Sequence, residues 1–108
     1  MKDIIQILNS NWQIIFVDAN DTILRETNAT LLGKCDSLHK KIFIERNHAS
    51  IVGTIIHEIT HACIEECLLS KDNFTSEEVC QFFEHYGEFI VVQAINAAIQ
   101  ENLVDSKE

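Results

Sequence analysis

The chain has 108 residues, of which 46% are hydrophobic and 23% charged, and its formal net charge is −9. This length predicts one domain with a modest core, and the hydrophobic content excludes a largely disordered chain. The acidic balance argues against a nucleic-acid partner, because phosphate binding needs clustered Lys and Arg, and the eight basic residues here are scattered.

Signals for export and for membrane insertion are missing from the sequence. No run approaches the roughly 20 apolar residues that span a bilayer, and residues 1–6 do not resemble a signal peptide. We therefore expect a cytoplasmic protein with no membrane partner. In that compartment we expect reduced thiols at all four cysteines, which are Cys35, Cys63, Cys67 and Cys80. Cys63 and Cys67, one helical turn apart, could join a soft metal site, but no CxxC pair is present, and small buried core residues are the better interpretation.

The first half of the chain has the pattern of a sheet. Two apolar runs rich in β-branched residues, 4–8 and 12–17, flank polar residues 9–11, which predicts a β-hairpin. A helix over residues 2–9 is the alternative. Residues 18–21 carry a loop signal, and Gly33 ends an ambiguous stretch. The alternation over residues 41–45 predicts a further strand, placed at an edge of the sheet.

The second half predicts two helices. Ile51, Ile55 and Ile59 recur at helical spacing and predict a helix over residues 50–69, capped by Asn47 or Ser50. The second helix is predicted from residue 75 or 76 to about 103, and its start fits a capping box. Its expected apolar stripe consists of Val79, Phe82, Phe83, Tyr86, Phe89 and Ile90. The predicted class is α+β, a small antiparallel or mixed sheet packed on two helices.

The first helix contains the sequence His57-Glu58-Ile59-Thr60-His61, an HExxH motif. Residues four apart lie one above the other on a helix, so both imidazoles point to one spot. Glu58 lies about 100° around the helix from His57, where it reaches a metal-bound water without being a ligand. The motif therefore predicts a zinc site with two histidine ligands and a general base. The competing interpretation is a pair of hydrogen-bonded core histidines.

A catalytic zinc takes three protein ligands and a water, so a third ligand is needed. The HExxHxxGxxH arrangement is excluded, because Ile64 and Cys67 occupy its glycine and histidine positions. The remaining source is a glutamate at the start of the second helix. Glu78 falls at the border of the apolar stripe and is the predicted ligand, with Glu77 as the alternative. Either carboxylate also suits a helix N-terminus, where it faces the helix dipole.

Three further residues are candidates for a part in the site. Glu65, one turn beyond His61, is a possible substitute ligand, although a solvated position fits it better. His85 on the second helix is a candidate hydrogen-bond donor to a reacting oxygen or a candidate fourth metal ligand, and Tyr86 is a candidate donor. An aromatic core position is the simpler interpretation of both.

The order of the hairpin, residues 32–36, residues 40–44, the HExxH motif and residues 77–80 resembles the small phage-associated gluzincins called minigluzincins. It is also similar to the ImmA/IrrE-type metallopeptidases. The resemblance covers almost the whole chain, and its specific part is the HExxH helix. It implies a zincin-like domain that binds zinc through His57 and His61, with Glu58 as base and a glutamate from the second helix. It does not choose between Glu77 and Glu78.

The leading hypothesis is a zinc metalloendopeptidase of gluzincin type that cleaves a peptide or protein substrate. Zinc polarises the scissile carbonyl, Glu58 moves the proton, and the strand at residues 42–44 holds an extended peptide by strand addition. One alternative is a latent or non-catalytic zinc-binding module, regulatory or interacting, of a phage or mobile element. Another is a metal-free helical interaction protein. Exposed strand edges leave a homodimer open.

Overall fold

The predicted N-terminal hairpin is present in the computed structural model, which describes residues 4–19, 21–26, 29–46, 48–67 and 74–101. Strand β1 (Ile4–Ile7) pairs antiparallel with β2 (Ser10–Val17), and Ile7 lies opposite Ser10. The turn is therefore Leu8–Asn9 rather than residues 9–11. Leu8 takes a left-handed φ of 54°, as two-residue hairpin turns require at a central position. The alternative of an N-terminal helix is wrong.

The stretch that was ambiguous in sequence contains short elements. One turn of 3₁₀ helix, Thr22–Leu24, is capped by Asp21, whose Oδ1 accepts a hydrogen bond from the backbone N–H of Ile23 at 3.0 Å. Leu24 is fully buried. The two-residue strands β3 (Arg25–Glu26) and β4 (Ala29–Thr30) then form a small separate ribbon.

The main sheet of the described residues has four strands in the order β1-β2-β6-β5. Strand β5 (Gly33–Asp36) is antiparallel to β6 (Lys41–Glu45), and β6 is parallel to β2, so the sheet is mixed. The strand predicted at residues 41–45 is confirmed, but its placement at an edge is wrong. Strand β6 lies between β2 and β5, and its Ile42 and Ile44 are fully buried in the core, so β5 occupies the edge instead.

Both predicted helices are confirmed. Helix α1 (Ile51–Glu66) ends at the cap residue Cys67, and helix α2 (Ser76–Gln100) ends at Glu101. The last residues predicted for each helix, 68–69 and 102–103, lie outside the described residues, as does the candidate cap Asn47. Ser50 occupies the N-cap position of α1, but its side chain makes no capping hydrogen bond. None of the helices described combines the length and apolarity that crossing a bilayer requires.

The core lies between the sheet and α1, with α2 packed against α1. Alternate residues of β2 and β6 point into it, and α1 contributes residues spaced three or four apart, such as Ile51, Ile55 and Ile59. Helix α2 contributes Ile90, Ala94, Ala97 and Ala98. The predicted stripe on α2 is partly wrong, because Val79 and Phe83 are 42% and 54% exposed. The small residues in the C-terminal half of α2 pack into the core, and the N-terminal turns of α2 lie at the margin of the core.

Candidate metal centre

The two histidines of the HExxH motif stand side by side on α1. Both side chains are exposed, their ring centroids are 4.8 Å apart, and the rings meet edge to face at 73°. This placement follows from their spacing of four residues on one helix. The pair is therefore on the surface, available to a ligand, and the interpretation of His57 and His61 as core histidines is wrong.

The side chain of Glu58 points away from this exposed pair and towards the edge strand β5. It is the buried charged residue of the described structure, with 7% of its surface exposed. A Cβ atom on Gly33 of β5 would lie 3.0 Å from both Cγ and Oε2 of Glu58. The absence of a side chain at Gly33 therefore lets the strand backbone rest on the carboxyl group. Burial raises the pKa of Glu58, and the charges that His57 and His61 carry when protonated oppose the shift.

An open trough runs between α1 and β5, and it contains all three motif residues that carry chemistry. Its upper part is lined by His57 and Glu58, and its lower part by Glu58 and His61. Leu31, Gly33 and Glu58 line both parts, so the two parts lie next to each other. We call this feature the α1–β5 trough. It brings a pair of imidazoles, a buried carboxyl group and the edge of a sheet to one place.

The glutamates predicted as third ligand do not line this trough. The Oε1 atom of Glu78 accepts a hydrogen bond from the backbone N–H of Thr75 at 2.9 Å, and Thr75 Oγ1 accepts one from the N–H of Glu78 at 3.1 Å. The predicted capping box is thus confirmed. Glu78 lines a separate groove with Cys67 and Phe82. Glu77 is exposed, and its Oε2 accepts a hydrogen bond from Gln81 at 3.4 Å.

The position of α2 explains this separation. Glu78 lies beside Cys67, which is six residues beyond His61 and so about 9 Å further along the axis of α1. The first turn of α2 therefore meets the end of α1 rather than its histidines. Within the part of the chain that the structure describes, no three His, Cys, Asp or Glu side chains converge as a set that could hold a metal ion.

The remaining candidates divide between the trough and the groove. Glu65 lines the lower trough with His61 and is exposed, as its solvated position predicted. His85 and Tyr86 line the groove beside Glu78, away from the trough. There the Cys67 thiol donates a hydrogen bond to Tyr86 Oη at 3.0 Å. Neither His85 nor Tyr86 is therefore placed beside the HExxH residues.

One trough residue was not predicted from the sequence. Cys35 on β5 lines the lower trough with Glu58 and His61, and it is half-buried. Burial, followed by the charge of Glu58, raises the pKa of its thiol to about 11. A signal was available, since Gly33 to Asp36 precede a short turn and the strand at 41–45, an arrangement typical of a hairpin.

Comparison with known proteins identifies no family, so any assignment of function has to be argued from the site itself. No protein-family model, no curated protein and no solved structure matches this chain. What the fold and the trough define is a class of architecture: an α+β domain in which an HExxH helix lies against a mixed sheet, beside its edge strand.

Proposed function

We propose that this protein is a zinc-dependent metallopeptidase of zincin-like architecture, which hydrolyses a peptide bond in the α1–β5 trough. The observation that supports the proposal best is that His57 and His61 stand side by side on α1, each lining the α1–β5 trough together with Glu58, beside an edge strand. Paired imidazoles suit zinc, and a carboxyl group beside them suits proton transfer.

The chain supplies two nitrogen ligands that need no rearrangement of the backbone. His57 and His61 lie on the same exposed face, so both rings are open to a metal ion. Glu78 is the third ligand predicted from the sequence, and to bind zinc it would have to exchange its capping hydrogen bond with Thr75 for the metal. Zinc held by His57 and His61 would polarise the carbonyl of the substrate and lower the pKa of a bound water.

Glu58 is proposed as the general base. Its carboxylate takes a proton from the attacking water and delivers it to the leaving amine, so it must change protonation state during the reaction. Burial raises the pKa of Glu58 above its usual value, which is the direction expected for a group that has to accept a proton. Because Gly33 has no side chain, the backbone of β5 lies close to this carboxyl group, which is largely buried.

The edge strand β5 is proposed as the binding site of an extended substrate. One side of β5 pairs with β6, and the other side borders the trough. Main-chain groups at the edge of a sheet can pair with a peptide that is added as a further strand. The sequence predicted that residues 42–44 would hold the peptide. These residues lie inside the sheet, so β5 is proposed for this role instead.

The proposal is tested with the zinc-loaded protein and its Glu58→Gln variant on an unstructured protein substrate or a mixed peptide library. General acid–base catalysis typically contributes 10²–10⁴-fold, so cleavage by the variant should fall by at least about 100-fold while its zinc content stays unchanged. Glu88→Gln, an equivalent change on the exposed side of α2, should cleave at the wild-type rate. Full activity of Glu58→Gln would overturn the proposed mechanism.

A latent or non-catalytic zinc module is the second candidate. It is favoured by the engagement of Glu78 in the helix cap, which leaves the predicted three-ligand set unassembled. It predicts stoichiometric zinc without peptide cleavage by the wild type. If the zinc is structural, removing it with a chelator should also unfold the domain.

A further inference from the structure

The α1–β5 trough contains a thiol that points towards the HExxH helix. Cys35 pairs with Ile42 across the antiparallel strands β5 and β6, and Gly33 pairs with Ile44. Residues directly opposite one another in such a pair point to the same face of the sheet. Ile42 and Ile44 are buried in the core beneath α1, so Cys35 and Gly33 face α1 as well.

Strand β5 places this thiol beside the lower half of the motif. Gly33 meets Thr54 and Glu58, and Cys35, two residues further on, lines the trough with Glu58 and His61.

The other acidic candidates are less well placed to complete a site with both histidines. Glu78 belongs to the separate groove at the end of α1. Glu65 is eight residues from His57 on the same helix, about 12 Å along the axis, which is too far for the two to share one ion comfortably. A third ligand from a second element that faces α1 avoids this separation along the helix axis, and β5 is such an element.

We propose that Cys35 supplies the third protein ligand, so that the metal is held by two imidazoles from α1 and one thiolate from β5. The inference rests on the proposed zinc function of His57 and His61. Zinc binds thiolate sulfur at about 2.3 Å and imidazole nitrogen at about 2.0–2.1 Å, and both are among its preferred ligands. Side-chain rotation has to bring the three groups together, because they do not converge in this structure.

Cobalt(II) in place of zinc distinguishes this ligand set from one with a carboxylate. Metal-free protein is titrated with Co²⁺ under reducing, oxygen-free conditions, and absorbance is recorded in the visible and near-ultraviolet. A thiolate ligand gives a sulfur-to-cobalt charge-transfer band, which nitrogen and oxygen ligands do not give. The wild type is expected to bind one Co²⁺ per chain with this band present.

Matched variants assign the band to one sulfur. Cys35→Ser should lose the band and bind Co²⁺ at least about 10- to 100-fold more weakly, the loss typical for removal of even an outer partner. Cys80→Ser, at an exposed thiol on α2, and Glu78→Gln should both keep the band and the stoichiometry. Circular dichroism of each variant checks that it is folded.

Two other outcomes would overturn the inference, and they are distinguishable. If the wild type binds Co²⁺ and His61→Ala abolishes binding, but no charge-transfer band is present, Cys35 is not a ligand and the proposed function stands. If neither protein binds Co²⁺ or Zn²⁺, the metal site itself is refuted, together with the role of Cys35.

Discussion

The end of the HExxH helix is tied to the sheet by one carboxylate, and this contact yields a quantitative prediction. Oε1 of Glu66 accepts a hydrogen bond from Ser10 Oγ at 3.0 Å, and Oε2 accepts from Trp12 Nε1 at 2.8 Å and from Lys40 Nζ at 2.6 Å. We call this set the Glu66 clasp. It joins α1 to the N-terminal hairpin and to the turn between β5 and β6.

Replacing Glu66 by alanine should destabilise the fold by about 1–4 kcal/mol. Trp12 is fully buried, so its indole N–H loses its acceptor, which costs about 1–3 kcal/mol. The partly exposed ion pair with Lys40 adds about 0–1 kcal/mol. Glu66→Gln retains an acceptor oxygen and loses the charge, so its cost should be nearer 1 kcal/mol.

The effect should also depend on pH. The hydrogen bond from Lys40, above all, lowers the pKa of Glu66 from its usual 4.5. Because the folded-state pKa is the lower one, the carboxylate contributes fully above about pH 4.5 and loses its contribution as the pH falls through the folded value. The difference in unfolding free energy between wild type and Glu66→Gln should therefore be constant from pH 7 to about 5 and shrink below that.

Urea unfolding followed by tryptophan fluorescence measures these differences, since Trp12 is the one tryptophan of the chain. Glu65→Ala is the matched control, because Glu65 is exposed on the same helix turn and its loss should change stability by less than about 0.5 kcal/mol. An unfolding midpoint of Glu66→Ala equal to that of the wild type would refute the reasoning, as would a difference that does not change with pH.

Two further substitutions test the packing around the site by the same unfolding measurement. Gly33→Ala places a Cβ 2.8 Å from Thr54 Cγ2 and 3.0 Å from Glu58, so it should cost about 1–3 kcal/mol, whereas Gly53→Ala, with nothing within 4 Å, should stabilise the helix by up to about 1 kcal/mol. Equal effects of the two would contradict the close approach of β5 to α1. Thr75→Ala removes the cap of α2 and should cost about 0.5–2 kcal/mol, while Thr75→Asp should retain most of the stability; a neutral alanine variant would mean that the capping box contributes nothing.

Local patterns made much of the fold predictable from the sequence. The spacing of Ile51, Ile55 and Ile59 and the alternation around Ile42 and Ile44 are fixed within a few residues, so the helices and the strand were predicted correctly. The position of β6 inside the sheet could not be predicted, because it depends on parallel pairing with β2, which is more than 20 residues away in the chain. No local pattern records such a pairing.

In the candidate site, too, the local features were predictable from the sequence and the long-range ones were not. His57 and His61 are neighbours because they are four residues apart on a helix, which the sequence states directly. The position of Glu78 depends on where α2 docks along α1, and its residues fit a capping box and a ligand equally well in sequence. Cys35 was overlooked because Gly33 to Asp36 have no alternating apolar pattern, although they form the strand that borders the trough.

The central claim, that the HExxH helix binds zinc, is tested most directly by the metal content of the purified wild type beside His61→Ala, measured by elemental analysis. The account predicts one zinc per chain in the wild type and its loss in the variant, with both proteins folded. A wild type that holds no zinc, even after reconstitution with the metal, would contradict the account and leave His57 and His61 as surface residues without a metal.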